Sequence, residues 1–184
     1  MEFQTKIILL SLTVSIIISL ILVIAISIFV MNTDFKSVDD YYTEHAADIT
    51  DGCETVFISV NCKSVLSNMD KLDKNLVSFI PDDGIIIPKT EYVLREGDTV
   101  FDILKRATAI NKVQMEYSGG KNSSYKSVYI EGIGYLYEFS CGAYSGWSYK
   151  VNGEEPKKGC SSYKLSDKDV IEWIYTVDFE EVYE

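Results

Sequence analysis

From Ile7 to Val30 the chain carries no charge, no glycine and no proline. Only Ile, Leu, Val, Phe, Ala, Ser and Thr occur there. As a helix, this run is about 36 Å long, enough to cross a hydrocarbon core of about 30 Å with some tilt. A soluble core helix of that length shows a polar stripe, and this one has none. The expectation is a transmembrane signal-anchor over residues 7–30. A cleaved signal peptide is the alternative, with the remainder secreted. The run exceeds the roughly 7–15 apolar residues of a signal core, and no small-x-small site follows it. Ser11, Ser15 and Ser19 recur every four residues. They either form a small-residue packing face or satisfy their hydroxyls on their own i−4 carbonyls.

Charge sets the orientation. Lys6 precedes the span, while Asp34, Asp39 and Asp40 follow it with only Lys36 opposing. The positive-inside bias places residues 1–6 in the cytoplasm and the remainder outside the cell membrane. Beyond the span lie 27 acidic and 16 basic side chains. That balance suits no nucleic-acid partner, because phosphate binding needs a basic face. Residues 31–52 are polar and acidic without a sustained period, which reads as an extracellular stalk. His45, the single histidine, falls in it.

The folded unit is expected over 53–178, with an acidic tail at 179–184. Glu54 to Val60 is rich in β-branched residues, with Val56, Ile58 and Val60 on one face, and predicts a strand. Val65, Leu66, Met69, Leu72 and Leu76 recur at helical spacing within 62–80. Pro81-Asp82-Asp83-Gly84 is turn chemistry. Ile85 to Leu94 reads as one or two strands broken at Pro88. Thr99 to Ile110 is the clearest helix. Thr99 and Asp102 have capping-box spacing, Val100, Ile103, Leu104, Ala107 and Ile110 form one apolar face, and Lys105 and Arg106 suit the C-terminal end of the dipole. Strands follow at 113–117, 126–130, 135–139, 147–151 and 170–176, with a loop at 118–124 and an Asn152-Gly153 hairpin turn. One main helix between early and late strands makes an α+β domain with a mixed sheet.

The residue inventory argues against catalysis. A Ser-His-Asp or Cys-His arrangement would need His45, which lies in the stalk. There is no phosphate loop and no HExxH. Asp82-Asp83 and Asp167/Asp169 sit in turn-like sequence and read as solvated turn residues. Asp82-Asp83-Gly84 is too sparse for a calcium loop. No short Cys-x-x-Cys spacing supports zinc, and no metal is expected.

Three C-terminal blocks together have a recognisable pattern: Gly146-Trp-Ser-Tyr-Lys-Val-Asn-Gly153, Gly159-Cys-Ser-Ser-Tyr-Lys-Leu165, and Asp167-Lys-Asp-Val-Ile-Glu-Trp-Ile-Tyr-Thr176. With Glu96 to Leu104, Tyr129 to Ile133 and Leu136 to Phe139, they resemble the transcobalamin-like C-terminal domain (DUF4430) found in Firmicute surface proteins. The resemblance extends from about Cys53 to Thr176. It implies a β-grasp-like fold and a ligand-binding module, with cobalamin or another corrinoid, or a different soluble ligand, as the bound molecule. In the family's cobalamin carriers this domain caps a corrin held against a large helical barrel. Residues 31–52 are too few to build such a barrel. A structural role, or interaction with surface protein or glycan, is the alternative.

Aromatics concentrate where the resemblance is strongest, and such rings stack on flat ligands. The loops 142–146 and 153–162 are the expected ligand edge, with Tyr144, Trp147, Tyr149, Asn152 and Tyr163 as binding candidates. Trp173 is expected in the core. Of the four cysteines, Cys53 and Cys62 flank a strand that would hold them roughly 30 Å apart, too far for a disulfide. Three full pairings are open. A Cys141–Cys160 bond, closing the loop region around the Gly-Trp strand, is the first choice for a single one. Where relatives carry a further cysteine after the final Tyr-Thr, this chain has Val177.

Overall fold

The structure is a computed structural model describing residues 14–15, 17–24, 49–120 and 127–178. It divides into two units, Met1–Asp40 and Tyr41–Glu184. In the first, residues 17–24 are helical and expose Ile17, Ile18, Leu20, Ile21, Leu22, Val23 and Ile24. The Ser19 hydroxyl donates to the Ser15 carbonyl at 2.8 Å, so this serine is satisfied within its own helix. Among the described residues no helix is long and apolar enough to cross a membrane. Most of the expected 7–30 span lies outside them, as do residues 1–6, most of the expected stalk with His45, residues 121–124 of the expected 118–124 loop, the start of the expected 126–130 strand and the expected 179–184 tail.

The second unit is α+β. Its main sheet has four strands: β1 (Thr55–Asn61), β2 (Ile85–Val93), β6 (Gly146–Val151) and β7 (Val170–Thr176), ordered β2-β1-β7-β6. β1 and β7 run parallel, Ile58 beside Ile171 and Val60 beside Trp173. The two outer pairings are antiparallel. A second sheet contains β3 (Met115–Gly119), β4 (Val128–Ile133) and β5 (Leu136–Tyr137), in that order.

Alternation explains the core. Val56, Ile58 and Val60 are fully buried on one face of β1, as the sequence predicts, and Ile171, Trp173 and Tyr175 are buried on β7. Each such side chain contributes about 1.5–3 kcal/mol on burial. Val100, Ile103, Leu104 and Ala107 of helix α2 (Val100–Ile110) join the same core. The capping box is present: Thr99 Oγ1 accepts from Asp102 N, and Asp102 Oδ2 accepts from Thr99 N at 3.0 Å. The expected dipole role of Arg106 is corrected. Its side chain is buried and pairs with Asp98, and no basic residue occupies the last turn.

Two segments differ from the sequence reading. Residues 62–80 form no continuous helix. They make a four-residue helix α1 (Lys63–Leu66) and a 3-10 segment (Lys74–Phe79). Asn68 and Asp73 side chains take backbone partners in this stretch, Asn68 donating to the Ser64 carbonyl at 2.9 Å. Asp73 accepts from Asn75 N at 2.9 Å, and its own N–H goes to the Ser140 carbonyl at 3.0 Å. Strand β2, by contrast, runs unbroken through Pro88. It is an edge strand with a register shift at that point, so the missing N–H interrupts no required bond.

Candidate functional site

The expected binding residues separate into two groups. Trp147 and Tyr149 are only 8% and 9% exposed. Trp147 packs edge-on against Tyr175 with centroids 5.2 Å apart, and its Nε1 donates to the Leu136 carbonyl at 2.8 Å. Tyr149 lies against Trp173 at 5.3 Å and donates its hydroxyl to the Lys158 carbonyl. Burial pushes the Tyr149 phenol well above its ordinary pKa. Both rings belong to the core, and their polar atoms are already engaged by carbonyls. Trp173 is buried as expected.

Asn152 has a structural task. It and Gly153 take positive φ, 53° and 84°, which the two-residue turn requires. Its side chain donates to Asp169 Oδ1 at 2.8 Å and accepts from Val170 N at 2.9 Å. Tyr163 is half-buried, edge-on to Tyr149 at 6.4 Å. Asn152 is exposed, and Tyr144 is the one exposed aromatic of the five, at 56%.

The Cys141–Cys160 disulfide is also corrected. All four cysteines are free thiols. Cys141 Sγ lies 3.4 Å from the Asn68 carbonyl, and Cys160 Sγ lies 3.5 Å from the Val128 carbonyl, so the two thiols are held on different parts of the fold. Burial pushes Cys160 up to about 11; burial, with help from Asp83, does the same for Cys62. The protonated thiol, a poor nucleophile, is the form these sites favour.

A different set of aromatics is presented to solvent. Tyr135 is 49% exposed and Phe139 64%. They flank the two-residue strand β5, and both hold positive φ, 66° and 63°. A bulky side chain in that region costs about 1 kcal/mol or more unless the surroundings enforce it. The enforcement is visible. Gln114 accepts from Gly134 N through its backbone carbonyl and from Tyr135 N through its side chain, at 2.7 and 2.9 Å. Phe139 N donates to the Ser145 carbonyl at 2.9 Å. The buried Ser145 hydroxyl donates to Gly142 O, accepts from Cys141 N and lies 2.9 Å from the Tyr175 hydroxyl oxygen. The Tyr175 hydroxyl donates to the Tyr137 carbonyl at 2.7 Å.

The 3-10 segment extends this surface. Phe79 stacks on Tyr135 with centroids 4.7 Å apart and is itself exposed. Asp73 and Asn68 tie the same segment to Ser140 and Cys141. The candidate site is therefore the aromatic rim formed by Phe79, Tyr135 and Phe139, continued by Tyr144 along the pinned 137–145 loop. Sequence reasoning missed Phe79 and Phe139 and did not carry Tyr135 among its binding candidates. The one local signal was Gly134, which supplies half of a turn that needs positive φ at two positions.

The main helix, the second sheet, β6 and β7 fall within one recognisable segment. Residues 97–177 match the family described as Domain of unknown function (DUF4430). The resemblance carried by residues 96–104 and 146–176 is thereby confirmed, while β1 and β2 lie ahead of the DUF4430 segment. No curated protein matches the chain. Among solved structures it is similar to haptocorrin in complex with Cbi, with 15% identity and a TM-score of 0.47 over 71% of this chain and 27% of that one. The chain thus spans about a quarter of haptocorrin's length. It is also similar to a protein of Ruminococcus gnavus ATCC 29149 named as a candidate metal-binding protein, with 14% identity and a TM-score of 0.40 over 67% of this chain and 96% of that one. Among the described residues, no three His, Cys, Asp or Glu side chains gather in a metal-holding group.

Proposed function

We propose that this is a membrane-anchored extracellular module that binds a soluble ligand without transforming it, through the aromatic rim at Phe79, Tyr135, Phe139 and Tyr144. One observation carries the reading: Tyr135 and Phe139 are held in a costly backbone conformation and yet leave their rings in solvent. Strain that leaves both rings outside the core, with Tyr135 touching only the exposed ring of Phe79, is explained if the rings are positioned for a partner. The sheet order β2-β1-β7-β6, with a central parallel pair and α2 on its core face, supports a β-grasp-like fold. The uncharged run at 7–30 and the exposed apolar helix at 17–24 support an anchor in the cell membrane.

A corrinoid is the first ligand to test, because the transcobalamin-like resemblance points to one. The full chain, purified in detergent, is titrated with cobalamin and with cobinamide by calorimetry, with the visible corrin spectrum as a second readout. The expected result is saturable one-to-one binding that Tyr135→Ala and Phe139→Ala weaken and Tyr163→Ala does not. No heat and no spectral change at high micromolar protein would remove free corrinoids and favour a structural role or protein or glycan interaction at the surface.

A further inference from the structure

The two ends of the main sheet meet different parts of the chain. At one end the polypeptide enters. Cys53 and Glu54 lead directly into β1, and the chain before them connects back to the uncharged run at 7–30. At the other end lies the aromatic rim. The C-terminal part of β7 reaches it: the Tyr175 hydroxyl donates to the Tyr137 carbonyl, and Gly146, next after the rim loop, pairs with Thr176. Between these ends β7 has seven residues, about 20 Å of strand.

A pull between the two ends therefore runs along the strands. From the rim it passes through the 137–145 loop into β6, sideways to β7 and sideways again to β1. β6 pairs with β7 from Gly146 with Thr176 to Val151 with Ile171. β7 pairs with β1 from Val170 with Phe57 to Ile174 with Asn61. On its other side β1 pairs with β2 from Thr55 to Asn61. Ladder bonds lie across the strand axis. Drawing β1 out by its leading end loads the bonds on both its sides together, whereas prising two strands apart from one end breaks their bonds in turn.

The end where the pull enters is bolted. Thr55 is 1% exposed, and each of its polar groups is taken. Its N–H donates to Asp167 Oδ1 at 2.8 Å, and its carbonyl accepts from Lys168 N at 2.6 Å. Its hydroxyl donates to Glu91 Oε1 at 2.5 Å and accepts from Lys168 Nζ at 2.6 Å. Phe57 N donates to the Asp169 carbonyl at 2.8 Å. Lys168 holds φ at 66°, a backbone that a lysine adopts only at a cost, and brings both its N–H and its ammonium onto Thr55. The turn ahead of β7 thus grips the first residue of β1 and ties it to β2.

We infer that the ladder β6-β7-β1 is a load path, carrying tension between the membrane anchor and a ligand that is itself tethered to a second body. The inference rests on the anchor and the rim proposed above for the source of that tension. The strength of the ladder is measured without either.

The full chain, in detergent, is stretched in optical tweezers in two geometries. In the first, tags at the two termini pull β1 and β7 from opposite ends. The second uses the N-terminal tag and a handle at Glu96→Cys. Leu94 N donates to the Glu54 carbonyl, so these two points lie at one end of the β1–β2 pair and prise it open. Both proteins carry Cys53→Ser, which removes the partly exposed thiol. At equal loading rate the first geometry should need about twofold the force of the second or more. It should also release about 400 Å of chain in one step. Thr55→Val, its fold verified by circular dichroism, should lower that force by deleting the hydroxyl that Lys168 and Glu91 share. Equal forces in the two geometries would overturn the load path, and an unchanged force in Thr55→Val would overturn the bolt. A chain that washes off lipid vesicles at alkaline pH while the force ratio holds would overturn the anchor reading and leave the ladder.

Discussion

Replacing Trp147 by alanine should cost stability, and by an amount that separates a core ring from a binding ring. Trp147 is 8% exposed, contacts Tyr175 edge-on and donates to the Leu136 carbonyl. Truncating a buried aromatic to alanine costs about 3–5 kcal/mol. Leaving the Leu136 carbonyl without its donor is part of that loss, at about 1 kcal/mol. Against a total stability of about 5–15 kcal/mol, this is a large fraction. With a urea m-value of about 2 kcal/mol/M, the midpoint should fall by roughly 2 M. Trp147→Phe keeps most of the ring and should fall by less than half as much. Tyr144→Ala, at an exposed position, should stay within about 0.5 kcal/mol of the parent. The assay is equilibrium urea unfolding of the three variants followed by far-UV circular dichroism. A Trp147→Ala midpoint indistinguishable from that of Tyr144→Ala would refute the core assignment and return Trp147 to the ligand edge.

Relieving the left-handed backbone at Phe139 with Phe139→Gly should raise the thermal midpoint, by about 1 kcal/mol or less in free energy, while weakening ligand binding; a lower midpoint would mean that the ring is needed for packing. A thiol reagent applied to the native protein should label Cys53, which is partly exposed, well before Cys62, Cys141 and Cys160, and all four should react once urea is added without reductant. A missing pair of thiols in urea would show that a disulfide forms after all. The folded thiol pKa values of Cys62 and Cys160 lie above the ordinary value of 9.0, at about 11, so their contribution is fully present below pH 9 and is lost as pH rises from about 9 through about 11. Urea midpoints measured from pH 7 to 11 should be flat and then fall, and Cys160→Ala should shallow that fall.

The legible parts of the fold were those written in short-range pattern. Thr99 and Asp102 announce the helix start by spacing alone, and Val56, Ile58 and Val60 announce a half-buried strand. Asn152-Gly153 specifies its own turn. The helix misread at 62–80 had apolar spacing but was interrupted by residues with competing partners, such as Asp73, whose side chain accepts from Asn75 N and whose own N–H goes to the Ser140 carbonyl. The site was less legible for a related reason. Trp147 and Tyr163 both stand near turns in sequence, yet β6 lies between β7 and the β4–β5 hairpin, and that environment buries Trp147. Nothing local to Phe139 shows that Ser145 and Tyr175 will hold the adjoining loop so that its ring faces outward.

The parallel pairing of β1 with β7 has a consequence for biogenesis. Residues 55–61 occupy the middle of the sheet, but their neighbour on one side is made more than a hundred residues later. Contacts of such sequence separation form slowly, and domains tend to fold as whole units. A nascent chain stopped before Val170 would leave β1 and β6 without the strand that joins them. Until residues 170–176 emerge, the polypeptide stays without its central closure.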